Sequence, residues 1–423
     1  MLTREENELL ARVGSGTPMG SLLREYWMPA LRAQKLEPDG APARVRLLGE
    51  NFVAFRATDG RVGFFDEGCP HRCTSLALAR NEDNALTCIF HGWKIDVSGK
   101  VVEVPSEPPE RRAEFAAKVR VRHYPVREAG GMIWVYLGRR SPAPRFYNFE
   151  FNHLPQPQVY VQRAVMHCNW FQGLEAVLDS AHLGILHKGF ISAYRANSIE
   201  DLAYANADTG PVFEMLERPY GFREGALRAL PDGSNYARIR ELVFPFYSFI
   251  PTNPDSPCSL ICAIPIDDEW TAQWYVRYDP QKPLTPAYLD SRIKGTSGDP
   301  DNFCSDMGNI DNLWHQDRRA MKEGHWTGIM HVVPYEDFVV EESMGPIVDR
   351  TREYLGKSDT VIIRARRIMA EAARAYQRVG VVPWQGEEID YGAVRALAIR
   401  YPKEQNWTEL DSFNPPRPFA HPA

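Results

Sequence analysis

Two short motifs constrain this chain more than anything else in it. Cys69-Pro-His71 and Cys88-Ile-Phe-His91 each offer one thiol and one imidazole, and sixteen residues separate them. To serve one site, the two segments must sit on neighbouring loops, as the tips of two hairpins do. A Cys₂His₂ set can hold tetrahedral zinc or a two-iron cluster. Zinc fingers pair Cys with Cys and His with His. Here each loop gives one of each, which suits one iron on two thiolates and the other on two imidazoles. Neutral imidazoles leave such a cluster less negative and raise its potential.

The flanking sequence reads as a small all-β domain over residues 46–143. Val45-Arg-Leu-Leu, Phe52-Val-Ala-Phe and Val62-Gly-Phe-Phe are short β runs separated by turn signals such as Thr58-Asp-Gly60 and Ser98-Gly99. Met132-Ile-Trp-Val-Tyr-Leu137 closes the region. Residues 1–45 begin with a helix that Thr3 caps, with Glu5 and Glu6 in its first turn, and are expected to pack on the later domain. Gly14-Ser-Gly-Thr-Pro-Met-Gly20 has no strand before it and carries Pro18, so it reads as a turn rather than a dinucleotide loop. At 423 residues the chain is too long for one ordinary core. Pro142 to Pro157 reads as a linker, and residues 150–423 as a larger α+β domain with a central antiparallel sheet. Ser358-Asp-Thr opens an amphipathic helix that Gly380 ends, its arginines expected on a solvated or subunit-facing surface. The proline-bearing last forty residues read as an extended tail.

The second domain carries Asp179-Ser-Ala-His182-Leu-Gly-Ile-Leu-His187. On a helix, Asp179 and His182 would share a face, while His187 would lie about 140° round from His182. The helix must therefore loosen or end if both imidazoles are to bind one metal, and Gly184 would permit it. Two imidazoles and one distant carboxylate make the facial triad of non-haem Fe(II) oxygenases, which leaves open positions on the metal. Asp301, Asp306, Asp311, Asp317 and Asp337 are all eligible as the third ligand. Arg238 and Arg240 fall on one face of an expected strand, Tyr236-Ala-Arg-Ile-Arg-Glu, ahead of the aromatic run Phe244-Pro-Phe-Tyr-Ser-Phe. They are candidates to clamp a substrate carboxylate, and Ser180 is a candidate donor to the same group.

Composition excludes several classes. A net charge of −6 with both signs interspersed is no nucleic-acid footprint. No apolar run reaches the roughly 18 residues needed to span a bilayer, and MLTREENELL lacks the layout of a secretory signal. Seven cysteines, an odd number, argue against a disulfide framework and for a reducing cytoplasm.

Cys69-Pro-His71-Arg72 followed by Cys88-Ile-Phe-His91-Gly92-Trp93 resembles the Rieske motif of ring-hydroxylating oxygenases. From Met1 to about Arg378 the chain is similar to the oxygenase (alpha) component of the phthalate-dioxygenase-like branch. Arg12-Val-Gly-Ser-Gly-Thr-Pro-Met-Gly, Glu25-Tyr-Trp-Met-Pro-Ala, Gln316-Asp317-Arg318 and the segment from Glu336 to Ile347 carry the rest of the likeness. The resemblance implies a Rieske [2Fe–2S] cluster on Cys69, His71, Cys88 and His91, and a mononuclear Fe(II) on His182, His187 and Asp337. It implies that Asp179 bridges the two centres across a subunit boundary. It also implies a homotrimer or stacked trimers, and a separate reductase with FMN and a plant-type [2Fe–2S] centre using NADH or NADPH. The substrate class implied is aromatic acids and methoxylated aromatics, dihydroxylated on the ring or O-demethylated with O₂. Two departures stand out. Cys73 occupies a position where glycine is frequent and is read as a buried free thiol, and Glu336 stands where glutamine is frequent, a rival carboxylate beside Asp337. The competing readings are a Rieske electron-transfer protein without oxygenase activity and a zinc-stapled binding protein.

Overall fold

The computed structural model describes residues 1–193, 204–205 and 208–415. The chain divides into two compact units, one of Val13–Phe146 and one of Met1–Arg12 together with Tyr147 onward.

The smaller unit is built from three antiparallel sheets. β1 (Trp27–Arg32), β9 (Val126–Ala129) and β10 (Met132–Tyr136) form one, in the order β1-β10-β9. β2 (Ala43–Leu47), β3 (Glu50–Arg56) and β4 (Val62–Asp66) form the second. β5 (Arg80–Glu82), β6 (Ala85–Thr87), β7 (Lys94–Asp96) and β8 (Val101–Glu103) form the third. Phe55, Phe65, Leu76, Leu86 and Ile95 are buried in a common core. Gly63 is needed there, because a Cβ on it would come within 2.2 Å of the Phe55 ring. The unit begins well before residue 46. β1 pairs with β10, and it is buried along nearly its whole length, so it lacks the alternation that marks a half-exposed strand.

The larger unit is centred on an eight-stranded antiparallel sheet. Its strands are β11 (Val159–Met166), β12 (Val212–Arg218), β13 (Gly221–Ala229), β14 (Asn235–Val243), β15 (Tyr247–Ile250), β16 (Cys258–Pro265), β17 (Thr271–Tyr278) and β18 (Leu397–Tyr401). Seven run in the order β11-β17-β16-β15-β14-β13-β12, and β18 pairs with β14. The C-terminal region is therefore not an extended tail. Leu397, Ile399, Tyr401, Trp407 and Leu410 are buried together against Ala237 and Ile239, and this apolar set holds the segment in spite of its prolines.

The first twelve residues join this unit through a buried polar network. Thr3 and Glu6 form a reciprocal capping box at the start of the helix Arg4–Ala11. Asn7 on that helix accepts from Arg350 Nη1 at 2.9 Å. Arg350 and Arg366 both donate to Glu175, at 2.8 Å and 2.6 Å. Arg366, on the helix Thr360–Val379, is thus buried and not on a solvated face. Its carboxylate partners, Glu175 and Glu353, compensate the charge that burial would otherwise leave unmet. Among the described residues, no helix is long and apolar enough to cross a membrane.

Candidate metal centres

The two Cys/His loops of the smaller unit repeat one backbone device. Cys69 N donates to Thr74 O at 2.8 Å, and Cys73 N to Cys69 O at 2.9 Å. Cys88 N donates to Trp93 O at 2.8 Å, and Gly92 N to Cys88 O at 2.9 Å. The residue four beyond each ligand cysteine has a positive φ, 58° at Cys73 and 72° at Gly92. Cys73 therefore occupies the glycine position of its loop, and its side chain is exposed, not buried. Cys69 and Cys88 are buried in the core, while the His71 and His91 rings meet edge-on with centroids 4.5 Å apart. Trp93 stacks on His71 at 4.7 Å.

This arrangement fits a two-iron cluster better than zinc. Bonds of about 2.0–2.3 Å in a tetrahedron put ligand atoms less than about 4 Å apart. Among the described residues, only His182, His187 and Asp337 bring three ligand atoms within 4.8 Å of one another. The Cys69, His71, Cys88, His91 set does not, as expected of ligands divided between two irons. His91 Nδ1 is buried without a hydrogen-bond partner among the described residues, and burial raises the Cys69 thiol to about 11. A buried orphan nitrogen beside two buried thiols is the donor set a Rieske cluster takes.

The second set lies in the larger unit, and there the chain breaks its helix. The helix Trp170–Leu178 ends at Asp179, whose backbone is extended (φ −82°, ψ 115°). His182 precedes a single turn, Leu183–Leu186, and His187 follows it. Asp179 and His182 consequently do not share a helix face. Gly184 is not a swivel: a Cβ there would approach Ala205 O to 2.1 Å, so its role is close packing. Asp337 comes from the helix Val333–Ser343, which carries Pro334 in its first turn.

In this geometry each imidazole lies between two carboxylates. Asp337 Oδ1 is 3.5 Å from His182 Nε2 and 3.2 Å from His187 Nε2. Ligands on one face of an octahedron with bonds of about 2.1 Å sit about 3 Å apart, so the three atoms fit a facial triad. On the far side of the rings, His182 Nδ1 is 3.4 Å from Asp179 Oδ2 and His187 Nδ1 is 2.8 Å from Glu336 Oε2. Glu336 is fully buried, and its other oxygen accepts from Thr327. It holds the outer nitrogen of His187 and does not compete with Asp337 for the inner position. Burial disfavours the imidazolium, yet Asp337 and Glu336 outweigh it and raise His187 to about 10. The same negative surroundings draw a metal cation.

Residues 135–415 match the model of the LigXa C-terminal domain like family, and residues 26–125 match the Rieske [2Fe-2S] domain. The chain belongs to the Rieske non-haem iron oxygenases, in the phthalate-dioxygenase-like branch. It is 36% identical to the 3-chlorobenzoate-3,4-dioxygenase oxygenase subunit of Comamonas testosteroni, over 96% of this chain and 97% of that one. It is also 36% identical to the phthalate 4,5-dioxygenase oxygenase subunit of Pseudomonas putida, over 97% and 95%. The 5,5'-dehydrodivanillate O-demethylase oxygenase subunit of Sphingobium sp. is 31% identical, over 87% and 79%. In fold it is similar to Pseudomonas putida CBB5 NdmA, with a TM-score of 0.58 at 20% identity over 85% of this chain and 93% of that one. The protein is thus an oxygenase component that needs a separate electron donor and O₂.

The Rieske oxygenase has a cavity of about 210 Å³ beside the His182, His187, Asp337 set. Arg238 and Arg240 line it, and both are buried rather than on a solvated edge. Arg240 is already engaged by Glu224 at 2.6 Å, Leu178 O at 2.7 Å and Ser180 Oγ at 3.1 Å. Ser180 is 1% exposed and is not part of the cavity wall, so it supports Arg240 from behind. Sequence reasoning missed Arg277, Gln273 and Tyr275, which alternate along β17 and face the same cavity. Their period-two spacing was the available signal, hidden because β17 is buried on both faces.

Proposed function

We propose that this oxygenase oxidises an aromatic carboxylate, with ring dihydroxylation as the first reading because the two relatives at 36% identity are named dioxygenases. O-demethylation of a methoxylated acid is the second, favoured by the relative named as an O-demethylase. The observation that carries the proposal is the meeting of His182, His187 and Asp337 in the wall of a cavity that buried arginines also line.

In this reading His182, His187 and Asp337 hold the iron, and Cys69, His71, Cys88 and His91 hold the cluster. Together the two centres supply O₂ activation and one-electron delivery. Glu336 and Asp179 orient the imidazoles through their outer nitrogens. Asp179 keeps 28% of its side chain exposed, which leaves it free to accept from a Rieske histidine of a neighbouring subunit in a homotrimer or stacked trimers. Arg238, whose Nε has no partner among the described residues, meets the substrate carboxylate. A separate flavin and ferredoxin-type reductase, using NADH or NADPH, delivers the electrons in the cytoplasm.

The test is a screen of aromatic acids and methoxylated aromatics with a competent reductase, scored for O₂ uptake and formaldehyde. Product from an aromatic acid without formaldehyde supports dihydroxylation, formaldehyde supports O-demethylation, and turnover of neutral arenes alone overturns the carboxylate reading.

A further inference from the structure

The cavity wall contains a buried carboxyl group that no basic side chain meets. Among the described residues, the buried glutamates Glu25, Glu175, Glu224 and Glu241 each face a guanidinium, and Glu336 faces the His187 imidazole. Glu341 is 2% exposed and faces neither. It stands four residues beyond Asp337 on the helix Val333–Ser343, so the two carboxyl groups share one face of that helix. Both line the cavity.

The partners of Glu341 are few and neutral. Gln273 Nε2 donates to its Oε2 at 3.1 Å and to its Oε1 at 3.4 Å, and Cys168 Sγ lies 3.9 Å from Oε2. The amide of Gln273 is itself committed, because its oxygen accepts from the Tyr275 hydroxyl at 3.2 Å. Gly173 makes room for the pair: a Cβ there would come within 2.8 Å of Gln273 Nε2. An ionised carboxyl group offers about four acceptor sites, and one amide with one weak thiol donor leaves part of that capacity unfilled. Burial and the nearby Asp337 also raise the Glu341 pKa well above its ordinary value. As a neutral acid it still keeps an accepting carbonyl oxygen. In either state it is a buried polar group short of partners, and a ligand that supplies one recovers the free energy of the missing bond. The other carboxylates of this wall, Asp179 and Asp337, are turned to the imidazoles. Glu341 is thus the carboxyl group left to face a ligand.

We propose that Glu341 is a specificity-determining residue that accepts a hydrogen bond from a hydroxyl or amino substituent on the substrate ring. This rests on the aromatic-acid reading above and adds a neutral donor group to it. A site built around such a bond discriminates strongly against analogues that lack the donor, because its own polar group is then left buried and unmet. A methoxy group is similar in size and has no proton to give.

The experiment measures dissociation constants of benzoate and of the hydroxy-, amino- and methoxybenzoates for the reconstituted holoenzyme, for Glu341→Met and for Glu341→Gln. At least one hydroxy- or aminobenzoate should bind about tenfold or more tightly than both benzoate and its methoxy counterpart, the size of one hydrogen bond to such a group. Glu341→Met should abolish that preference while benzoate binding stays within about twofold, and Glu341→Gln, which keeps an accepting oxygen, should retain part of it. Equal binding of benzoate and every hydroxy- and aminobenzoate by the unaltered protein overturns the inference and leaves the aromatic-acid reading intact. So does a Glu341→Met variant that weakens all the acids alike, which would make Glu341 a support for Gln273 only. If no acid binds while phenol, aniline or anisole does, the aromatic-acid reading fails. Glu341 is then judged on the same terms, by a preference for phenol or aniline over anisole that Glu341→Met removes. Should both variants fail to fold, the unaltered protein decides: a preference for donor over methoxy substituents supports the inference, and its absence overturns it.

Discussion

His187 Nδ1 lies 2.8 Å from Glu336 Oε2, and His187 Nε2 lies 3.2 Å from Asp337 Oδ1. Two consecutive helix residues thus grip opposite sides of one ring, because neighbours on a helix point about 100° apart. Removing Glu336 leaves Nδ1 buried and unpaired. Glu336→Ala should weaken Fe(II) binding by about tenfold to a hundredfold, while Glu336→Gln, which can still accept, should lose less. Titration of iron against a chelator measures both. Equal affinity in all three proteins would show that the contact does not orient the ligand.

Cys73 carries a φ of 58° at a position equivalent to Gly92 in the second loop. A side chain in that region costs about 1–2 kcal/mol. Cys73→Gly should therefore raise stability by about 1 kcal/mol and leave the visible spectrum of the Rieske cluster unchanged. It should also remove a readily alkylated thiol, since Cys73 is the exposed one of the seven cysteines. Loss of the cluster spectrum would instead make this thiol part of the site.

Glu175 is buried between Arg350 and Arg366. Burial opposes its ionisation, but the two guanidiniums prevail and hold its pKa below the usual carboxylate value. Glu175→Ala leaves two buried cations without their shared anion and should cost about 3–5 kcal/mol. Chemical denaturation of the variant checks this, and a loss below about 1 kcal/mol would mean that water or Glu353 takes over the charge.

Glu241 behaves in the opposite way. Burial raises its pKa to about 7, although Arg223 and the Tyr220 hydroxyl pull it down. The folded state then holds this proton more tightly than the unfolded state. Its contribution is most favourable below the ordinary value near 4.5 and is lost as pH rises to about 7. Unfolding free energies measured at pH 5 and pH 8 should fall by on the order of 3 kcal/mol more in the parent than in Glu241→Gln. An identical pH dependence in the two proteins would contradict the shift.

Much of the site could be read from local spacing, and the remainder depends on contacts far apart in the chain. Cys69, His71, Cys88 and His91 are legible because two hairpin tips carry the whole set. His182 and His187 are legible because one turn separates them. Asp337 is not, since nothing near residue 187 says which distant acid will arrive, and only the likeness to a known signature singled it out. The break at Asp179 was half visible: two imidazoles five residues apart cannot share a metal on an unbroken helix, but the place of the break follows from tertiary packing. Arg240 donates to both Ser180 and Glu224, a pairing that spacing in the sequence does not reveal. Whether a polar side chain faces a cavity or a buried partner depends on Glu224, which sits on the neighbouring strand. The sheet was readable where its strands alternate, and β1 and β18 were missed where burial on both faces or neighbouring prolines hid the pattern.

The most direct test of the two-centre assignment is His182→Ala in the reconstituted protein, followed by iron content, EPR and product formation with a competent reductase. The expected result is loss of the mononuclear iron and of oxygenation, with the Rieske signal unchanged. Full oxygenation by His182→Ala would contradict it.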